Sequence, residues 1–205
     1  MNQSRCSIFA ALRRARAPIL WIGVTYVAGA LLGVILVHAH NSFALHMRDS
    51  LVRHAQQSDP AAKAFSQHAP WRAALLDFFA NLLLGAIPTT LLGLAIVLPF
   101  PMAAFRGWVG GIVSVGADGA SRLANPHEAA YYLAVLLLQI VPYAMTGGVG
   151  VRLGLGFLLP RSRWGYESQQ RWIGLPTEGI RDVLRVYTLA TPLFLIASLV
   201  EFLAR

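Results

Sequence analysis

The sequence predicts an all-α fold: a polytopic bundle of about five transmembrane helices, with an amphipathic helix between the first two. Three observations predict it. Of 205 residues, 56% are hydrophobic and only 13% are charged, whereas a soluble domain carries roughly a quarter charged residues. The apolar residues are gathered into runs long enough to cross the roughly 30 Å of a bilayer's hydrocarbon. The 17 Lys and Arg residues, which leave a net charge of +8, fall between those runs, a pattern set by membrane topology and not by a phosphate-binding face. The single cysteine, Cys6, excludes an internal disulfide, a zinc ribbon and a dithiol redox motif.

The elements follow in order. Residues 1–17 form a basic, cytoplasmic N-terminus. Residues 18–37 hold no charge, and at 1.5 Å per residue they cover about 30 Å. Arg13, Arg14 and Arg16 precede this run as they would precede a signal peptide. The apolar core of such a peptide is usually only about 7–15 residues long, so the run is read as an uncleaved anchor. Residues 38–72 are polar and form an external loop. Within it Phe43, Met47 and Leu51 recur at i, i+4 and i+8, with Arg48, Asp49 and Arg53 on other faces, which predicts a short amphipathic helix ending at Asp59-Pro60.

From residue 73 to residue 117 the chain stays apolar with few interruptions, of which Asp77, Asn81 and Arg106 are the charged or amide side chains. That is too long for one crossing, and Pro99-Phe100-Pro101 supplies the break, because prolines remove donors and disfavour continuous helix. The second span therefore lies near 76–98 and a shorter, Gly-rich third near 101–118. A fourth runs from 129 to about 153 and contains Gln139 and Pro142. The segment 160–183 is a basic cytoplasmic loop whose Trp164, Tyr166 and Trp172 suit contact with anionic headgroups. At its end Thr177 can cap a helix, and Ile180, Val183, Leu184 and Tyr187 form a stripe that leads into the last span, 184–203. The whole chain, 1–205, is one integral membrane domain.

Lys and Arg accumulate on the cytoplasmic side of bacterial membranes. Five crossings with the N-terminus inside place Arg5, Arg13, Arg14, Arg16, Arg106, Arg152, Arg161, Arg163, Arg171, Arg181 and Arg185 on that side, eleven of the seventeen. Four crossings, with 101–118 re-entering, leave seven, so five are preferred. All six histidines (His38, His40, His46, His54, His68 and His127) then fall outside, where they read as solvated loop residues and not as metal ligands.

The sequence contains no nucleophile elbow, P-loop, dinucleotide fingerprint, HExxH or cysteine-based metal motif. It assigns no catalytic residue, no metal and no cofactor. Polar residues inside spans are more informative, because the bilayer makes them costly unless they meet a cavity or another polar group. The candidates are Asp77 and Asn81, four apart on one helical face, with Arg106, Gln139 and Glu201. Arg106 and Asp77 are expected near opposite boundaries and are not paired. Small residues at four-residue spacing, Gly29 with Gly33, Gly107 with Gly111 and Gly150 with Gly154, allow close helix contact, within the chain or with a partner.

Four stretches together resemble the stage II sporulation protein M family of integral membrane proteins: Phe78-Phe79-Ala80-Asn81; Arg106-Gly107-Trp108-Val109-Gly110-Gly111; the Gly-rich run from Gly147 to the Arg152-Leu153-Gly154 that ends it; and Arg181 through Glu201. Arg106 stands where the family usually has Asn, and Gln139 where it usually has an acidic residue. The resemblance implies a bacterial cytoplasmic-membrane protein that holds or assembles partners, which in spore formers means engulfment alongside cell-wall hydrolases. The expected partners are the lipid bilayer and other membrane proteins or further copies of the chain, and no nucleic acid. A permease component, with Asn81 and Gln139 at a substrate site, is the alternative. Single cysteines at positions 121 and 168, in a variant lacking Cys6, test the topology: an impermeant thiol reagent should label Ser121→Cys in intact cells, and Ser168→Cys only after permeabilisation.

Overall fold

The computed structural model describes residues 7–116, 118–159, 164–166 and 170–204. Arg5, Cys6, Arg161, Arg163 and Ser168, to which the sequence reading gave places, lie outside the described residues. Helix α1 (Ile8–His38) begins where the Ser7 hydroxyl accepts from the Ala10 amide. Its first turns therefore carry the basic residues before the apolar run. Helix α2 (Ser42–Ser58) is capped by Asn41, and α3 (Pro60–Ser66) by Asp59. Pro60 sits in the first turn of α3, where a missing N–H leaves no bond unmade.

Helix α4 (Pro70–Phe79) continues through a π-helical turn (Ala80–Ala86) into α5 (Ile87–Leu92) and a 3-10 turn (Gly93–Ala95). The π turn has a local cause. Pro88 cannot donate to the preceding turn, and the ladder just before it widens to accommodate the loss. Ile96 then adopts φ 62° and the chain turns into α6 (Pro99–Ile112), at the proline pair where the break was expected. Helix α7 (Pro126–Leu158), capped by Asn125, is followed by a small antiparallel hairpin, β1 (Arg171–Trp172) with β2 (Leu175–Pro176), and by α8 (Thr177–Leu203). Thr177 does not cap α8. It is the first helical residue, Pro176 holds the cap position, and the Thr177 hydroxyl donates to the Gln170 carbonyl instead.

Contacts fix the sense of each pass. Tyr26 and Ala30 of α1 lie against Gly107 and Gly111 of α6, so these helices run parallel. Ile19 lies against Gly148 and Gly23 against Ala144, so α1 and α7 are antiparallel. Leu153 lies by Gly179 and Gln139 by Glu201, so α7 and α8 are antiparallel too. The α4–α5 rod runs with α7, since Asn81 meets Tyr143 and Gly93 meets Gly150. The chain thus passes up and down the bundle five times, with Ile8 and Leu203 at opposite ends. Four of the passes, α1, Pro70–Ala95, α7 and α8, are long and apolar enough to cross a membrane. Helix α6, with 14 residues, spans about 21 Å and is the short third pass that the sequence predicted.

Glycines form the closest seams. A Cβ at Gly107 or Gly111 would land on the Tyr26 or Ala30 carbonyl of α1, and one at Gly29 or Gly33 on the Ala104 or Trp108 carbonyl of α6. Gly150 and Gly154 meet Thr90 and the Gly93–Leu94 backbone in the same way. The small-residue pairs therefore serve packing within this chain. Around these seams Ile22, Tyr26, Phe78, Tyr143 and Phe194 form the main core cluster. Helix α2 buries Ala44 and Arg48, and of its apolar stripe Phe43 stacks on Trp108 and Leu51 lines a cleft beside α6. Arg48 tolerates burial because Asp49 accepts from it at 2.7 Å.

Gly107→Ala should destabilise the bundle by about 1–3 kcal/mol, the usual cost of overpacking. Gly23→Ala, whose added carbon would rest 3.7 Å from Ala144, should be neutral. Equilibrium unfolding in mixed micelles compares the two directly.

Candidate functional site

The five polar residues singled out within spans come from α4, the π turn, α6, α7 and α8, and the fold gathers them at the middle and outer depth of the bundle. Asp77 and Asn81 are one turn apart, and the Asn81 amide donates to Asp77 Oδ2 at 2.8 Å. Ser198 of α8 donates to the same oxygen at 2.7 Å. On the other side, the Tyr143 hydroxyl of α7 donates to Asn81 Oδ1 at 2.7 Å. The guanidinium of Arg106 lies over the Tyr143 ring, 4.2 Å from its centre. A continuous chain, Ser198–Asp77–Asn81–Tyr143–Arg106, therefore joins four passes of the bundle. Beside it, Gln139 donates to Glu201 Oε2 at 2.8 Å, and Tyr131 donates to the Glu201 carbonyl.

Arg106 departs from its expected place. It was assigned to the inner boundary, but its neighbour Gly107 packs on Tyr26, halfway along the apolar run of α1. The reason lies in the register: Pro99 is eight residues before Gly107 and Pro18 eight before Tyr26, so α6 starts level with the apolar run of α1 and Arg106 lies about two turns inside it. Arg106 and Asp77 do not touch, yet Tyr143 and Asn81 link them. Gly85 makes the junction possible, because a side chain there would occupy the space of the Tyr143 hydroxyl and press on Arg106.

A cleft of ≈ 540 Å³ opens beside this chain. Tyr26, Asn81, Arg106, Gln139 and Tyr143 supply its polar wall, and Leu51, Met102, Phe105, Val109 and Val113 its apolar wall. Nearer the inner end, the Thr90 hydroxyl lies 2.8 Å from that of Tyr187 and 3.0 Å from the Thr146 carbonyl.

Both ends of the bundle carry polar contacts of their own. At the start of α1, Arg14 makes a two-pronged pair with Asp182 of α8 at 2.7 and 2.6 Å, with Glu178 at 3.5 Å and Arg185 also reaching Asp182. Arg152 stacks on Tyr166 there, and burial pushes the Tyr166 hydroxyl up to about 12, which keeps it neutral at physiological pH. At the other end His38 lies 2.8 Å from the Ser121 hydroxyl and, with His40, Arg48 and Asp118, lines a cavity of ≈ 400 Å³. Among the described residues no three His, Cys, Asp or Glu side chains converge as a metal site would require.

Tyr26, Tyr143 and Ser198 were not singled out from the sequence. Two of them carried a signal: Tyr143 is four residues after Gln139 and Ser198 three before Glu201, so each shares a helical face with a residue already recognised.

The fold and its buried polar chain define a polytopic α-helical membrane protein whose spans are held together by hydrogen bonds as well as by glycine seams. Residues 22–203 match the family model of Stage II sporulation protein M, and the chain belongs to that family. No curated protein and no solved structure matches it.

Ser198→Ala removes one of the two donors onto Asp77 and should cost about 1 kcal/mol of stability, within the range measured for hydrogen bonds between membrane helices. Unfolding in lipid micelles by a denaturing detergent measures it, and an unchanged midpoint would deny the bond a structural role.

Proposed function

We propose that this protein is a non-enzymatic scaffold or complex subunit that assembles partner proteins in the bacterial cytoplasmic membrane, with its N-terminus in the cytoplasm. The observation that carries the reading is the use made of the polar side chains at membrane depth. Ser198 and Asn81 bind Asp77, Tyr143 binds Asn81, and Gln139 binds Glu201, so that three of these four bonds cross between helices. Such bonding fixes the shape of the bundle. Membership of a family not known for enzymes agrees with this.

The face offered to partners, on this reading, is the groove of ≈ 560 Å³ between α1 and α7, whose walls are almost wholly apolar. Leu20, Val24, Val27 and Val141 line it, and Gly23 and Ala144 keep its floor low. Helix-in-groove packing in lipid relies on such small residues, since lipid tails remove any hydrophobic driving force between helices. The inside orientation of the N-terminus rests on the arginine distribution. Arg13, Arg14 and Arg16 share one end of the bundle with Arg152, Arg171, Arg181 and Arg185.

The permease reading is favoured by one observation, the polar cleft at Arg106. It requires that Asn81→Leu with Gln139→Leu abolish a flux in reconstituted vesicles.

Cysteines introduced at Leu20, Val24 and Val27 in a Cys6→Ser background should crosslink in native membranes to a defined partner or to a second copy. Cysteines at Leu184 and Leu189, exposed on α8, should crosslink far less. Repeated recovery of a lone monomer from all five positions would overturn the scaffold reading.

A further inference from the structure

We propose that the cleft beside Arg106 binds an anionic amphiphile, with its phosphate or carboxylate on the guanidinium and its acyl chain along α6. This goes beyond the scaffold reading and does not rest on it.

The argument begins with charge. Arg106 is half-buried at the depth of Tyr26, and among the described residues no carboxylate pairs with it. A guanidinium held at that depth is costly unless an anion or water meets it. The nearby carboxylates are directed elsewhere: Asp77 accepts from Asn81 and Ser198, and Glu201 from Gln139. The Tyr143 ring covers one face of the guanidinium and its hydroxyl lies beside it, and a guanidinium has five N–H donors, more than one hydroxyl can occupy. Arginine's planar fork suits the two oxygens of a phosphate or carboxylate.

Shape gives the rest of the ligand. The cleft is wide enough, at ≈ 540 Å³, for a headgroup fragment and the first part of a chain. Its polar side chains, Asn81, Gln139, Tyr26 and Tyr143, gather at one wall with Arg106. Met102 and Phe105 come before Arg106 on α6, and Val109 and Val113 come after it, so an apolar stripe at spacings of three and four residues leads away from the guanidinium toward the outer end. A ligand with one charged end and one aliphatic end matches this division. A small polar solute would leave the stripe uncovered, and a zwitterionic lipid would bring its own cation to the arginine.

The test is native mass spectrometry of the intact protein released from detergent, with three probes: phosphatidylglycerol, oleate and phosphatidylcholine. The expected result is retention of one phosphatidylglycerol or one oleate in preference to phosphatidylcholine. Retention of phosphatidylglycerol names a membrane phospholipid as the source, and retention of oleate alone names a free fatty acid. Arg106→Gln should weaken retention by at least roughly tenfold, the scale of one charge-assisted bond, and Arg106→Lys should restore part of it. Val109→Trp fills the aliphatic stripe while leaving the charge in place, and it should also abolish retention; an unchanged unfolding midpoint in both variants, with the partial recovery in Arg106→Lys, separates lost binding from lost folding. Equal retention of all three probes, or retention unchanged in both Arg106→Gln and Val109→Trp, would overturn the proposal.

Discussion

Inside a bilayer there is no water to satisfy a polar group, so each one must find its partner within the protein or face a cavity. In this chain that constraint acts on residues more than a hundred positions apart. Asp77 gains its second donor when α8 brings Ser198 to it, and Asn81 uses both ends of its amide, donating to Asp77 and accepting from Tyr143. The register of α4, α7 and α8 follows from those bonds. The π turn ahead of Pro88 belongs to the same arrangement, since it runs from beside Asn81 to Gly85, where the Tyr143 hydroxyl and Arg106 converge.

Glycine supplies the complementary constraint. Helices α1 and α6 approach until backbone meets backbone, at Gly29, Gly33, Gly107 and Gly111, which holds the short α6 firmly although it is too brief to cross a bilayer alone. That support fixes α6 in register with α1 and carries Arg106 to the level of Tyr26. The cleft and the cation–π contact follow from that depth.

Much of the fold was legible because it depends on patterns that sequence carries locally. Uncharged runs gave the spans, the Pro99–Pro101 pair gave the break before α6, and the spacing of Asp77 and Asn81 gave their shared face. Legibility failed where an outcome depended on contacts between distant segments. The register of α6 against α1 is set by glycine contacts between distant segments, so Arg106 was assigned to the wrong depth. Arg14 and Asp182 are 168 positions apart, and only the antiparallel sense of α7 against both α1 and α8 brings them together. The apolar stripe of α2 was clear, but the inward turn of Arg48 beside Asp49 was not. Tyr143 and Ser198 could have been found by asking which polar residues share a helical face with Gln139 and Glu201.

The most direct test of this account is a double-mutant cycle between Asn81→Leu and Tyr143→Phe, read as unfolding free energy in lipid micelles. If the polar chain sets the register of the bundle, the two changes should be non-additive, with a coupling of about 0.6–1.7 kcal/mol, the span seen for hydrogen bonds between membrane helices. Additivity within the error of the measurement would mean that the helices hold their places without the chain, and would contradict the account.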